Sequence, residues 1–323
     1  MKPALFGIYQ GSARFSRAMA AIAVLLFAVL QVSNFEISIN TQVVLAVIAL
    51  AIGIPHGAID HLITIPRTSR SRFIAFVVIY TLIAIFAALA IAKWNLVGFK
   101  LVVLMSALHF GFGDSAFANE SRAANEKNGY SKLVLASYAI PAGFLPVVLP
   151  LTDNRTLDVL QELNPALINW AGTFTQSLRN STLVLAVIAI VFLIVTRNLD
   201  LTLDLFLLLG LSFLAPPLVA FAVYFGFWHA IRHTARLVPK LPSAMQKVSS
   251  GNLFASFLAA VIPGLYAIFG IFVLGIFIVA RGNTDISSDF LWVILVIIWA
   301  LTVPHMATTA KFDIKAFKSS LRP

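Results

Sequence analysis

The sequence contains no cysteine, and charged residues are scarce. Without cysteine there are no disulfides, thiolate metal sites or iron–sulfur clusters, so any bound metal must take nitrogen or oxygen ligands. Only 11% of the 323 residues are charged, whereas 60% are hydrophobic and the mean hydropathy is +0.93. A soluble domain carries about 25% charged residues. The composition therefore indicates an all-α, polytopic integral membrane protein, because backbone amides in hydrocarbon must pair within their own segment.

The apolar runs predict a bundle of ten transmembrane helices in a single domain, residues 1–323. A count of nine stays open because the seventh run is short. Residues 155–180 are mixed in character and are expected to form an interfacial amphipathic helix. The predicted spans are 17–34, 41–65, 72–94, 98–118, 131–150, 181–196, 200–214, 216–237, 254–280 and 288–309.

The basic residues predict the orientation of these spans. The net charge of +10 could indicate nucleic-acid binding, but basic residues in a membrane protein usually mark cytoplasmic loops, so we expect no nucleic-acid partner. With both termini cytoplasmic, all but five of the 23 Lys and Arg fall on the inner side; the five are Lys93, Lys100, Arg155, Arg179 and Arg281. The first apolar run lacks a cleavage site. We therefore expect a multi-pass protein of the inner (plasma) membrane, in contact with the lipid bilayer.

The six histidines fall only in spans two, four, eight and ten, which all run from outside to inside. They are His56, His61, His109, His229, His233 and His305. Counted back from the predicted inner ends, they form two layers, about 12–14 Å and about 6 Å deep. A lone intramembrane histidine usually only bonds a neighbouring helix. Six in matched spans indicate a functional site instead, because ionisable residues are costly in lipid.

The spacing of the histidines predicts a metal site. His229 and His233 are four residues apart, so both imidazoles leave one helix face and can hold one ion. His56 is level with His109 and His229, whereas His61 points about 140° away from His56. We therefore predict that His56, His109, His229 and His233 bind a metal. Such a neutral set suits Fe(II), Zn(II) or Cu(II), and Fe(II) with open positions can activate O₂.

Carboxylates and further histidines are predicted to support these ligands. Metal-bound histidines usually donate their other ring N–H to a carboxylate or carbonyl. Asp60, four residues after His56, is the predicted partner of that ring. Asp114 is expected to face His61 or His305, which would belong to a supporting layer nearer the inner ends of the spans. A structural pairing of either aspartate with Arg232 stays open.

Aromatic residues crowd the same level of the spans. Such residues most often only pack, but some could line a channel for a long apolar substrate. The candidates are Phe110, Phe112, Tyr224, Phe225, Phe227 and Trp228.

Four segments resemble the Brp/Blh family of integral-membrane β-carotene 15,15′-dioxygenases. They are PHGAIDH (55–61), HFGFGD (109–114), HAIRH (229–233) and PHMATTAKFD (304–313). The resemblance implies that β-carotene and O₂ are the substrates and that central cleavage gives two retinals. It also implies a non-haem iron held by histidines and, as a partner, a microbial rhodopsin that uses the retinal.

Other classes of protein stay open. A transporter would use intramembrane His and Asp as a relay, but it needs polar residues through the full membrane depth, whereas here they lie in the inner half. Membrane di-iron desaturases and hydroxylases need more histidines, commonly with adjacent pairs. A carotenoid- or retinal-binding protein without catalysis would not need four ligands.

Overall fold

The computed structural model describes residues 2–65, 69–282 and 286–319, and every regular element within them is a helix. The all-α prediction is therefore confirmed for these residues. The helices are α1 (Lys2–Val32), α2 (Ile39–Gly57), α3 (Asp60–Thr64), α4 (Arg70–Lys93), α5 (Asn95–Ala124), α6 (Lys132–Leu151), α7 (Thr156–Leu163), α8 (Thr175–Val195), α9 (Leu199–Leu214), α10 (Pro217–Ala222), α11 (Ala230–Leu237), α12 (Pro242–Ser249), α13 (Leu253–Val261), α14 (Leu265–Arg281) and α15 (Ile286–Ser319).

Within the described residues, eight segments are long and apolar enough to cross a membrane. These segments are Pro3–Val32, Ile39–Thr64, Arg70–Lys93, Asn95–Ala124, Lys132–Leu151, Gly172–Val195, Leu253–Arg281 and Phe290–Ile314. They correspond to eight of the ten predicted spans, and the protein is thus a multi-pass membrane protein.

The remaining two predicted spans are shorter or interrupted. Span 200–214 is α9, which has 16 residues. Span 216–237 consists of α10, a π-helix at Val223–His229, and α11. The count of ten and the cytoplasmic termini stay predictions; Arg67 and Arg322, which we assign to the inner side, lie outside the described residues.

The segment expected to form one interfacial helix is divided. Helix α7 ends at Leu163, and Asn164 is extended (φ −167°, ψ 107°) because a residue before proline avoids the helical region. Gly172 then has a positive φ of 56°, which suits glycine. Helix α8 therefore begins at Thr175, six residues before the predicted start at 181.

Two of the apolar spans are interrupted where they touch each other. Helix α2 ends at Gly57, and two turn residues precede α3. Between α13 and α14 the chain forms a 3-10 turn, Ile262–Gly264. Gly264 packs directly on the backbone carbonyl of Pro55, where a side chain would have no room. Both interruptions therefore lie at one contact beside His56.

The main core packs α5 and α6 against α1, α8, α9 and α10. Gly111 of α5 lies against the carbonyl of Ala139, and Gly143 of α6 lies against the carbonyl of Ala107. Small residues allow such close backbone approach between membrane helices. Helix α5, which carries His109, therefore packs closely against α6. Helices α4 and α14, by contrast, expose most of their apolar side chains.

Candidate functional site

Five of the six histidines meet inside the helix bundle, and we call them the five-histidine cluster: His56, His109, His229, His233 and His305. They are only 1–7% exposed. Four of the rings form a closed circuit. Neighbouring centroids are 5.4 Å (His56–His229), 5.1 Å (His229–His109), 5.2 Å (His109–His305) and 5.4 Å (His305–His56) apart.

His233 lies against all four rings of this circuit. Its centroid is 4.9 Å from His56, 5.5 Å from His305, 5.7 Å from His229 and 6.2 Å from His109. The five rings therefore surround one point, with the circuit as the base and His233 as the apex of a pyramid.

The spacing of the rings suits a metal ion at this point. A metal–nitrogen bond of about 2.1 Å puts an imidazole centre about 3.3 Å from the metal. Two such centres are then about 4.7 Å apart at a right angle and about 5.4 Å apart at a tetrahedral angle. Most of the observed separations lie in or near this range. Among the described residues, however, no group of three or more His, Asp or Glu side chains has the geometry to hold a metal.

Unpaired ring nitrogens provide an independent test of whether the cluster suits a metal. Four of them are buried without a hydrogen-bond partner in the described part of the chain: Nε2 of His109, His229 and His305, and Nδ1 of His233. Leaving a buried polar atom unpaired is unfavourable, and native proteins rarely do so. A shared metal would satisfy these nitrogens, so the donor set fits such an ion.

In three rings of the cluster, the Nδ1 atom contacts a neighbouring polar group. His56 Nδ1 contacts the carbonyl oxygen of Gly53, and His109 Nδ1 lies 3.5 Å from the Thr309 hydroxyl. His305 Nδ1 lies 2.9 and 3.0 Å from the two oxygens of Asp60. Each of these contacts leaves Nε2 of the same ring available to a ligand.

Asp60 therefore supports His305, and its predicted pairing with His56 is wrong. The spacing rule assumed one helix through both residues, but α2 ends at Gly57 and the turn redirects Asp60. His61 lies outside the five-histidine cluster, and its ring packs on Phe73 with centroids 5.8 Å apart.

His305 was predicted to lie nearer the inner membrane boundary than His109, in the other layer, yet their rings are in contact. The depth estimate assumed inner ends at 118 and 309, whereas α5 continues to Ala124 and α15 to Ser319. His109 is thus 15 residues and His305 14 residues from the observed helix ends. The two predicted layers do not separate these residues.

Asp114 faces neither His61 nor His305, contrary to prediction. It accepts hydrogen bonds from Trp228 Nε1 (2.8 Å) and the Tyr224 hydroxyl (3.1 Å). The guanidinium of Arg232 lies 3.7 Å from the centre of a Trp228 ring and pairs with Asp204 at 2.8 Å. Asp114 therefore anchors the segment that precedes His229, and Arg232 pairs with a third aspartate.

That segment, Val223–His229, forms a π-helix that the sequence did not predict. In a π-helix residues four apart nearly share a face, and π-turns often occur at functional sites. Tyr224 and Trp228 accordingly point to Asp114, while Phe225 stacks beside His229. Gly226 lets this turn approach α2, because a Cβ there would lie 3.1 Å from the backbone of Ala49. Gly226, a glycine within the run of aromatic residues, was the one sequence feature that could have indicated the π-helix.

An apolar cavity of about 910 Å³ adjoins the five-histidine cluster. His56, His109 and His305 of the cluster lie on its wall, as does His61 outside the cluster. Its lining comes mainly from α2, α4, α5, α14 and α15, and includes Leu50, Ile54, Tyr80, Ala84, Ile298 and Leu301.

The six aromatic candidates occupy different environments. Phe110 and Phe225 line the cavity. Tyr224 and Trp228 bind Asp114 behind it, Phe227 packs on Phe15 of α1, and Phe112 is 40% exposed on the outer surface.

The Phe225 ring sits over Gly53, in the space that a Cβ would fill, and stacks on Phe221 with centroids 5.6 Å apart. Sequence reasoning missed Phe221 and Tyr80, because both lie in runs that look like ordinary apolar packing.

Fold and site together define a class: a multi-pass helical membrane protein with buried imidazoles on the wall of an apolar cavity. The chain belongs to the β-carotene 15,15′-dioxygenase family, whose sequence model matches residues 45–313. This range contains all six histidines and confirms the resemblance of the four motifs. A β-carotene 15,15′-dioxygenase from an uncultured marine bacterium, 66A03, is 27% identical over 275 residues, which cover 79% of this chain and 88% of the relative. No solved structure matches the chain.

Proposed function

We propose that this protein is an oxygenase that cleaves the central 15,15′ double bond of β-carotene with O₂ and releases two retinal molecules. Family membership and the name of the bacterial relative support the reaction. The observation that carries the proposal is the position of the five-histidine cluster on the wall of an apolar cavity of about 910 Å³. This volume lies within the range of about 300–1,000 Å³ that is usual for ligand sites.

His56, His109, His229 and His233 would hold a non-haem Fe(II), since neutral imidazole is a suitable ligand for iron. When bound, the iron would supply the redox chemistry with O₂, and the protein would supply binding and orientation. The unpaired nitrogens of His109, His229 and His233 favour this assignment over a purely structural cluster.

The cavity would bind the polyene and exclude water. Its apolar lining offers dispersion contacts along an extended hydrocarbon. The Phe110 ring lies 4.4 Å from the His229 ring, and Phe225 lies 5.9 Å from His56. A polyene has many similar double bonds. These aromatic side chains would select the central bond by limiting how far the polyene enters the cavity.

A transporter or a carotenoid- or retinal-binding protein is the alternative. The apolar cavity alone would suit a binding protein, whereas unpaired buried nitrogens around one point favour a metal enzyme. In our proposal the protein lies in the inner membrane and a microbial rhodopsin receives the retinal.

The test compares iron content and retinal formation. The wild-type protein, made in a β-carotene-producing host, should contain one iron per chain and convert the carotenoid to retinal. His229→Ala removes one of two neighbouring ligands, so iron should be largely lost and β-carotene should accumulate. His61→Ala is the matched control, since it removes a histidine outside the five-histidine cluster and should retain iron. A His229→Ala protein with full iron and native retinal output would disprove the site, and wild-type protein that binds β-carotene without cleaving it would favour the binding protein.

A further inference from the structure

His305 lies as close to the other rings of the five-histidine cluster, and is as deeply buried, as the four predicted ligands. Its centroid is 5.2–5.5 Å from those of His56, His109 and His233, and the residue is 5% exposed. Its Nε2 is buried and has no hydrogen-bond partner among the described residues. The nitrogen is therefore as available as those of His109 and His229.

The carboxylate of Asp60 fixes the proton position on this ring. Both Asp60 oxygens lie within 3.0 Å of His305 Nδ1. A carboxylate at Nδ1 keeps the proton there and leaves the Nε2 lone pair free. This is the usual arrangement of a carboxylate behind a metal-bound histidine.

Asp60 is itself held in place from α4. It is 2% exposed, and no Lys or Arg pairs with it in the described residues. The Tyr80 hydroxyl lies 3.2 Å from Asp60 Oδ2 and 3.3 Å from the carbonyl of Leu301. Because Leu301 is one turn before His305, Tyr80 ties the carboxylate to the helix that carries the ring.

We propose that His305 is a fifth imidazole ligand of the metal and that Asp60 and Tyr80 are positioning residues for its ring. This inference rests on the proposed function, since it needs the iron site of the four other histidines. His56, His109 and His305 border the cavity, whereas His229 and His233 do not. The side of the cluster that faces the cavity would therefore remain accessible to substrate.

The number of imidazole ligands is the direct test. X-ray absorption on the iron-loaded wild-type protein should fit five imidazole nitrogens at about 2.1 Å. His305→Ala should fit four imidazoles and bind iron more weakly, and added imidazole, which can enter through the cavity, should restore the fifth. His61→Ala should keep five.

Two conservative variants test the positioning residues. Asp60→Asn and Tyr80→Phe keep the side-chain size, so they should fold even if His305→Ala does not. Loss of the carboxylate should lower iron affinity about 10–100-fold, and Tyr80→Phe should lower it less.

Unchanged imidazole number in His305→Ala, or unchanged iron affinity in both conservative variants, overturns the inference. If the wild-type protein contains iron, makes retinal and fits only four imidazole ligands, the fifth ligand is refuted but the proposed function is not. Wild-type protein that binds no iron refutes the proposed function as well.

Discussion

Replacing Gly53 by alanine should push the Phe225 ring towards the centre of the cavity. A Cβ at Gly53 would lie 2.6 Å from Cδ1 and 2.7 Å from Cζ of this ring, with Cε1 closer still. Carbon atoms pack best about 3.5–4.0 Å apart, so the ring must retreat by about 1 Å or more. Its ring neighbours are Phe221, His56, Phe110 and His229, at centroid distances of 5.6, 5.9, 6.1 and 6.5 Å. Overpacking of this kind costs about 1–3 kcal/mol.

On the proposed function, the displaced ring should reduce retinal formation more than iron binding, because it narrows the cavity and removes none of the five histidines. Thermal unfolding in detergent, iron content and the product spectrum should be measured together. Gly11→Ala is the matched control: its Cβ would meet nothing within 4 Å. It should be neutral or slightly stabilising, since alanine favours a helix more than glycine does.

A double-mutant cycle identifies the cause. Phe225→Leu in the Gly53→Ala background should recover part of the lost stability, because the two changes act on one contact. If Gly53→Ala has wild-type stability and activity, or if Phe225→Leu adds its own loss without any recovery, the close contact does not control the cavity.

Two further changes test the polar groups behind the histidines. Asp114→Ala should lower the unfolding temperature, since it leaves the buried Trp228 N–H without its acceptor at a cost of about 1–3 kcal/mol; Asp114→Asn should cost less, and equal losses would contradict the hydrogen-bond account. Arg232→Met breaks a buried ion pair with Asp204, for which about 3–5 kcal/mol is usual. We expect the lower end because Arg17 also pairs with Asp204 at 2.6 Å; adding Arg17→Met, which leaves Asp204 without either cation, should cost further stability in thermal unfolding, and the absence of a further loss would contradict this reading.

Local spacing predicted those parts of the site that lie on one uninterrupted helical turn. His229 and His233 leave the same face because the chain is helical between them, and their rings are 5.7 Å apart. Asp60 failed the same rule because the chain leaves the helix at Gly57, two residues after Pro55. A single sequence gives no reliable signal for where such an interruption falls.

The contacts that His305 and Tyr80 make with distant helices were beyond the reach of the sequence. Hydropathy locates a span to within a few residues, but the level of His305 depends on how far α15 continues beyond the hydrocarbon. Tyr80 lies on α4, whose apolar surface resembles lipid-facing packing. Only tertiary structure brings its hydroxyl to Asp60.

The five-histidine cluster also constrains the order in which the protein can be made. A ribosome delivers α2 and α5 to the membrane long before α15, the last helix described, which carries His305. Metal binding to ligands brought together by folding contributes to the free energy of folding. A chain arrested before α15 inserts would thus lack one ring and the helix that closes the bundle beside His109. On the proposed function, the metal would join early and late helices, and maturation of the enzyme would be the final event of its biogenesis.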